Sequence, residues 1–138
     1  MKQLKAIQLE DVIFLDIETA RLVENLEEGT PLYESWEYKM KRSSDEQEVD
    51  MNDTYKDKAA LYPEFARIVC ITVGRVKDGR INLKTYRDAD EKVLLTKFTR
   101  DINLVTKKRP KSMICGHSVI GFDIPFMFKR CMVQQVVA

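Results

Sequence analysis

Asp16 and Glu18 stand two positions apart, directly after the apolar run Val12–Leu15. Residues two apart on a β-strand project from the same side. If that run is a strand, both carboxylates face one point where it ends. Adjacent carboxylates repel one another, and holding both ionised in a partly buried site is costly. A hard divalent cation such as Mg²⁺ or Mn²⁺ removes that cost, because it prefers oxygen ligands. By themselves the two acids fit equally well a pair exposed where a strand exits. A third acid, Asp123, lies far along the chain in Gly116–Pro125, between an apolar stretch and a helix-forming segment. A carboxylate is favoured at a helix N-terminus. Alone, Asp123 therefore reads as an ordinary N-cap ahead of a ligand.

The elements that must position these acids can be read from pattern. Val12–Leu15 mixes β-branched and aromatic residues and predicts a strand buried on both faces. Residues 20–62 predict a solvent-facing insertion with one or two helices. Within it Leu32, Trp36 and Met40 fall four apart, on one face of a helix over Leu32–Lys41. Phe65–Val76 is strongly β-forming. Lys77–Arg80 predicts a hairpin turn with Asp78 and Gly79 at its centre, and Ile81–Tyr86 the returning strand. Asp88 or Asp90 is placed to cap a helix. In that helix Val93, Leu94, Phe98, Ile102 and Val105 recur at helical spacing, and it ends at the basic Lys107–Pro110. Ser112–Cys115 predicts a short buried strand and Gly116–Gly121 a loop. Ile124 to Val133 predicts a helix with Pro125 in its first turn. This order implies one α/β domain over 1–138, a mixed sheet flanked by helices, with 20–62 as a helical insertion.

Composition narrows the class. Of the 138 residues, 44% are hydrophobic and 33% charged, the balance of a soluble globular domain. The net charge of +1 provides no long-range field to gather duplex nucleic acid. It does not bear on an enzyme that grips a few nucleotides in a cleft. No apolar run approaches the ~20 residues that cross a bilayer, so no membrane partner is expected, and Met1–Lys5 lacks signal-peptide character. Cys70, Cys115 and Cys131 lie in apolar surroundings without zinc-ligand spacing. They read as small buried hydrophobes in a reducing, cytoplasmic compartment.

Asp16-Ile17-Glu18-Thr19 on a first strand, with Gly116-His117-Ser118-Val119-Ile120-Gly121-Phe122-Asp123 opening a late helix, resembles the DnaQ-like (DEDD) 3′→5′ exonucleases. The first segment is similar to motif Exo I, and Phe122-Asp123 to the Phe-Asp of motif Exo II. Ala66–Gly74 resembles the second strand of the same RNase H-like fold. The likeness extends over residues 11–133 and is nearest the group related to the proofreading domain of family B DNA polymerases. It implies hydrolysis of single-stranded DNA (or RNA) from a 3′ end by two Mg²⁺ or Mn²⁺ ions. By that resemblance Asp16 and Glu18 hold the first ion, and Asp16 with Asp123 the second. Ile17, Thr19, Ser118 and Phe122 stand where the family contacts substrate.

Two departures modify the expectation. The family commonly has Asn where Ser118 stands. Its third motif, an acid preceded by His or Tyr, has no counterpart, since no acid follows Asp123 before Ala138. The RNase H-like fold is thus expected to be C-terminally incomplete, in a fragment or a natural short form with weak or no activity. The alternative is a non-catalytic module of the same fold that binds nucleic acid or protein. His117, the single histidine, does not match a catalytic position of the family. Trp36 is expected to pack within the insertion, and Lys107–Lys111 to be a solvated helix end.

Overall fold

The computed structural model describes residues 7–43 and 50–137. The chain divides into two compact units: the described residues up to Glu18 with those from Val69 onward, and Thr19–Ile68. The charged stretch Asp45–Glu48 lies outside the described residues.

The first unit is built on a mixed four-stranded sheet. Its strands are β1 (Val12–Arg21), β2 (Ala66–Lys77), β3 (Arg80–Tyr86) and β4 (Met113–Cys115), in the order β3-β2-β1-β4. β2 and β3 pair antiparallel, from Ile71 opposite Tyr86 to Lys77 opposite Arg80. The hairpin closes through Asp78 and Gly79, at φ 52° and 69°. Two consecutive positive φ values make the type I′ turn that an Asp-Gly pair predicts. β4 lies parallel to β1, with Val12 opposite Met113 and Phe14 opposite Cys115.

Two helices follow the pattern of the sequence. α3 (Glu91–Lys108) is capped by Asp90, whose Oδ1 accepts from Lys92 N at 2.8 Å and Val93 N at 3.4 Å. It buries Leu94, Leu95 and Phe98, each worth ~1.5–3 kcal/mol by area. α4 (Asp123–Gln134) ends at Gln135 in the left-handed region, where Val136 N–H returns to the Cys131 carbonyl. The helices are joined by a buried ion pair, Arg130 Nε to Glu91 Oε1 at 2.9 Å, and Gln134 donates to Glu91 Oε2 at 2.8 Å. α3 packs on the sheet where Tyr86 of β3 meets Phe98 edge-on, centroids 5.5 Å apart.

Three expectations need correcting here. β1 is buried on both faces only at its start, at Val12 and Ile13; from there Leu15 and Ile17 are buried, while Phe14, Asp16 and Glu18 alternate with them and are exposed. β1 also runs on to Arg21, so Asp16 and Glu18 lie within the strand and not at its exit. β4 forms, but all three of its residues are exposed. For β1 the reason is that α3 meets the sheet on one face, the face of Tyr86 and Lys84, and the side chains of alternate residues point away from it. The cysteines follow suit. Only Cys131, on α4, is buried; Cys70 is half-buried and Cys115 exposed. Burial, and then the Glu91 charge, push the Cys131 thiol up from its ordinary value.

The second unit holds α1 (Pro31–Ser43) and α2 (Met51–Lys58). Both elements fall in the segment expected to carry helices, but the segment also has a core of its own. Trp36 is fully buried, with Tyr55 and Phe65 edge-on at 5.3 and 4.9 Å. Leu26, Met40 and Ala59 complete the cluster. Its polar atoms are partnered: Trp36 Nε1 donates to Thr54 Oγ1 at 3.1 Å, and Asn52 Oδ1 accepts from Leu26 N at 2.7 Å.

Candidate metal site on the first strand

The pleat of β1 sets Asp16 and Glu18 on one side of the strand, both exposed. Among the described residues neither carboxylate takes a hydrogen bond or an ion pair. Most other acids of this unit are engaged. Asp88 pairs with Lys97, Asp101 with Lys84, and Glu91 with Arg130.

Asp123 reaches the same strand from elsewhere. It is the first residue of α4, 4% exposed, and its Oδ1 accepts from Ile17 N–H at 3.0 Å. The N-cap position belongs to Phe122, so the capping role expected of Asp123 is not the one it plays. The reason for the bond lies in the sheet. β4 stops at Cys115, opposite Phe14, so the edge of β1 beyond that point has no strand partner on this side. An edge N–H left unsatisfied costs about 1–3 kcal/mol, and the Asp123 carboxylate supplies the acceptor. Its other oxygen takes no hydrogen bond from the described residues.

The loop that delivers Asp123 depends on a glycine. A Cβ at Gly116 would lie 2.4 Å from the Leu15 carbonyl oxygen, closer than any real contact. The chain leaving β4 therefore runs against the β1 backbone one residue before Asp16. The loop then turns through Ser118 at φ 51°, whose carbonyl accepts from Gly121 N at 2.9 Å and Phe122 N at 2.8 Å. The motif had singled out Gly116 without this reason for it. Side-chain burial gives no sequence signal for such a backbone approach.

The remaining site residues divide. Ile17 is buried and its N–H is occupied by Asp123. Ser118 is exposed, as is His117. Phe122 is half-buried, its ring 5.4 Å from that of Phe126. Thr19 belongs to the second unit, where its hydroxyl donates to the Ala60 carbonyl at 2.7 Å. Among the described residues no three His, Cys, Asp or Glu side chains are grouped closely enough to hold a metal ion. Asp123 is fixed beside the strand segment of Asp16 and Glu18, and the latter two are open to solvent.

Among the described residues no helix is long and apolar enough to cross a membrane. Compared with known proteins, the chain matches no family model, no curated protein and no solved structure.

Proposed function

We propose that this chain carries the metal-binding carboxylates of a 3′→5′ exonuclease of the DnaQ-like kind, on an RNase H-like sheet, and acts on the ends of single-stranded DNA. One observation carries the reading: Asp123 is tethered to the backbone between Asp16 and Glu18. The donor set supports a hard cation. All three groups are carboxylates, two have no partner among the described residues to offset their charge, and the third keeps one oxygen uncommitted. Asp16 and Glu18 would hold one Mg²⁺ or Mn²⁺ ion, and Asp16 with Asp123 a second. Ions bound there supply charge neutralisation and an activated water for phosphodiester hydrolysis.

The protein's own residues do the positioning. The β1 pleat keeps Asp16 and Glu18 on one side, and the Ile17 N–H fixes Asp123. Phe122 offers the uncovered part of its ring to a sugar or base. Ser118, at its exposed turn, has a hydroxyl available for a nucleotide.

The test combines Mn²⁺ binding, followed by loss of the free-ion EPR signal, with shortening of 5′-labelled single-stranded DNA. Mn²⁺ binding should fall sharply in Asp16→Asn and Asp123→Asn, and any stepwise shortening should require Mn²⁺ and stop in Asp16→Ala. Shortening that survives Asp16→Ala rules the reading out, as does equal Mn²⁺ binding by all variants. Single-stranded DNA retained without regard to Mn²⁺ or Asp16 would favour the non-catalytic binding module.

A further inference from the structure

A cleft of about 540 Å³ opens between the β2–β3 hairpin and the C-terminal half of α3. This is within the size range of specific ligand sites. Its floor is aliphatic and aromatic, with Val73 from the sheet and Phe98, Ile102 and Val105 from the helix. Its charged lining is four cations, Arg75, Lys77, Lys84 and Arg109, against one carboxylate, Asp101.

Two of those cations are already engaged. Lys84 binds Asp101, and Arg109 Nη1 binds Asp11 Oδ1 at 3.2 Å. Asp101 is fully used, since it also accepts from Tyr86 Oη at 3.1 Å and Arg100 Nε at 2.9 Å. Arg75 and Lys77 are not engaged in this way, and of these Arg75 is the more telling. The Arg75 Nε is sealed from solvent and makes no hydrogen bond among the described residues. A buried donor in that condition is rare and needs a reason. The residue itself is half-buried and lines the cleft, so a carboxylate from outside would meet the open part of its guanidinium with a charge-assisted bond.

We infer that this cleft is a docking site for an acidic peptide segment of a partner protein, whose apolar side chain fills the floor while a neighbouring carboxylate meets Arg75 and Lys77. Charge complementarity selects the anion. The walls select a peptide over a nucleotide. A base needs donors and acceptors along its edge, and here the uncharged polar side chains are only Asn82 and Tyr86, the latter's hydroxyl proton being taken by Asp101. An aliphatic floor suits a leucine or phenylalanine side chain, the kind of anchor that dominates peptide interfaces when seated in a desolvated pocket. The cleft shares no residue with the Asp16, Glu18 and Asp123 constellation, so the two can be tested apart.

The experiment uses the full chain and a short fluorescein-labelled peptide in which aspartates flank a leucine–phenylalanine pair, read by fluorescence anisotropy at low salt. Binding should weaken as salt rises. It should weaken roughly tenfold in Arg75→Gln and in Lys77→Glu. It should vanish when the aspartates become asparagines or the apolar pair becomes serines, and it should be unchanged in Asp16→Asn. Lys77 is exposed, so Lys77→Glu decides the matter should circular dichroism show Arg75→Gln unfolded. The inference is overturned if the peptide does not bind, if Lys77→Glu binds it as wild type does, or if Asp16→Asn weakens it equally. It is also overturned if deoxyadenosine monophosphate or oligothymidylate displaces the peptide better than its unlabelled form.

Discussion

The Asp123 carboxylate accepts the Ile17 backbone N–H at 3.0 Å, across 106 positions of sequence. The bond closes the edge of β1 past the end of β4 and fixes an acid beside Asp16 and Glu18. Its two consequences can be separated. Asp123→Leu leaves a buried N–H without an acceptor and should cost about 1–3 kcal/mol. Asp123→Asn keeps an acceptor oxygen, so it should unfold in urea close to wild type while losing Mn²⁺ affinity. A leucine variant as stable as wild type would show that the bond contributes nothing to the fold.

Asp16 and Glu18 invite the opposite result. Neither has a partner among the described residues, and like charges on one side of a strand repel. Asp16→Asn combined with Glu18→Gln should therefore leave stability within about 0.5 kcal/mol of wild type. Mn²⁺ should raise the melting temperature of the wild type by mass action and leave that of the double variant unmoved. A double variant that melts well below wild type without metal would mean the two acids are structural.

Gly116 is the third handle on the same region. An added methyl would strike the Leu15 carbonyl oxygen, a backbone atom that cannot swing aside. Gly116→Ala should cost on the order of 1–3 kcal/mol, as overpacking does. It should also weaken Mn²⁺ binding, because the loop it opens delivers Asp123. A Gly116→Ala chain with wild-type melting and Mn²⁺ binding would show that the loop relaxes freely.

How much of this was legible follows from the range of each interaction. The hairpin was, because Asp78 and Gly79 specify their turn locally. So was α3, because Asp90 and the apolar repeat are both local signals. The one-sided burial of β1 beyond Val12 was not. Val12–Leu15 is apolar throughout, and what covers each face is decided by where α3 packs. The core around Trp36 was half legible: the i, i+4 spacing of Leu32, Trp36 and Met40 pointed to a buried face, but Tyr55 and Phe65 join it from beyond α1. At the candidate site the residue types were readable, and the Ile17 contact was not, because it pairs a side chain with a distant backbone group.

The Arg130–Glu91 pair tests how α3 and α4 are held together. Both side chains are 5% exposed. Removing one partner of a buried pair leaves an uncompensated charge, at a cost of about 3–5 kcal/mol, whereas replacing both with apolar groups is often neutral. Arg130→Met should be strongly destabilising, and the double variant Arg130→Met with Glu91→Leu should recover most of the loss. A double variant no better than the single one would show that the pair is needed for more than mutual neutralisation, for instance through the Gln134 contact.

Asp101 gives a prediction in pH. Its carboxyl is held down from 3.8 to about 2, chiefly by the hydrogen bond from Lys84, against the opposing effect of burial, with Arg100 and Tyr86 adding to the lowering. A folded-state value below the unfolded one means the native state binds fewer protons in that range, so its stability rises with pH there. The contribution of Asp101 is accordingly complete above 3.8 and fades as pH falls toward about 2. Lys84 acts at the other end. Its amine is raised by the Asp101 hydrogen bond and then by Tyr86, so its share is present below 10.5 and fades as pH rises through the raised value. Because Lys84 is largely exposed, the pair is screened, and Asp101→Asn should cost no more than about 1 kcal/mol near neutrality. Urea midpoints measured between neutral pH and pH 2 should show the gap between wild type and Asp101→Asn constant above 3.8 and closing below it. A gap of the same size at pH 2 and at pH 7 would mean that Asp101 stabilises the protein through shape, not through its charge.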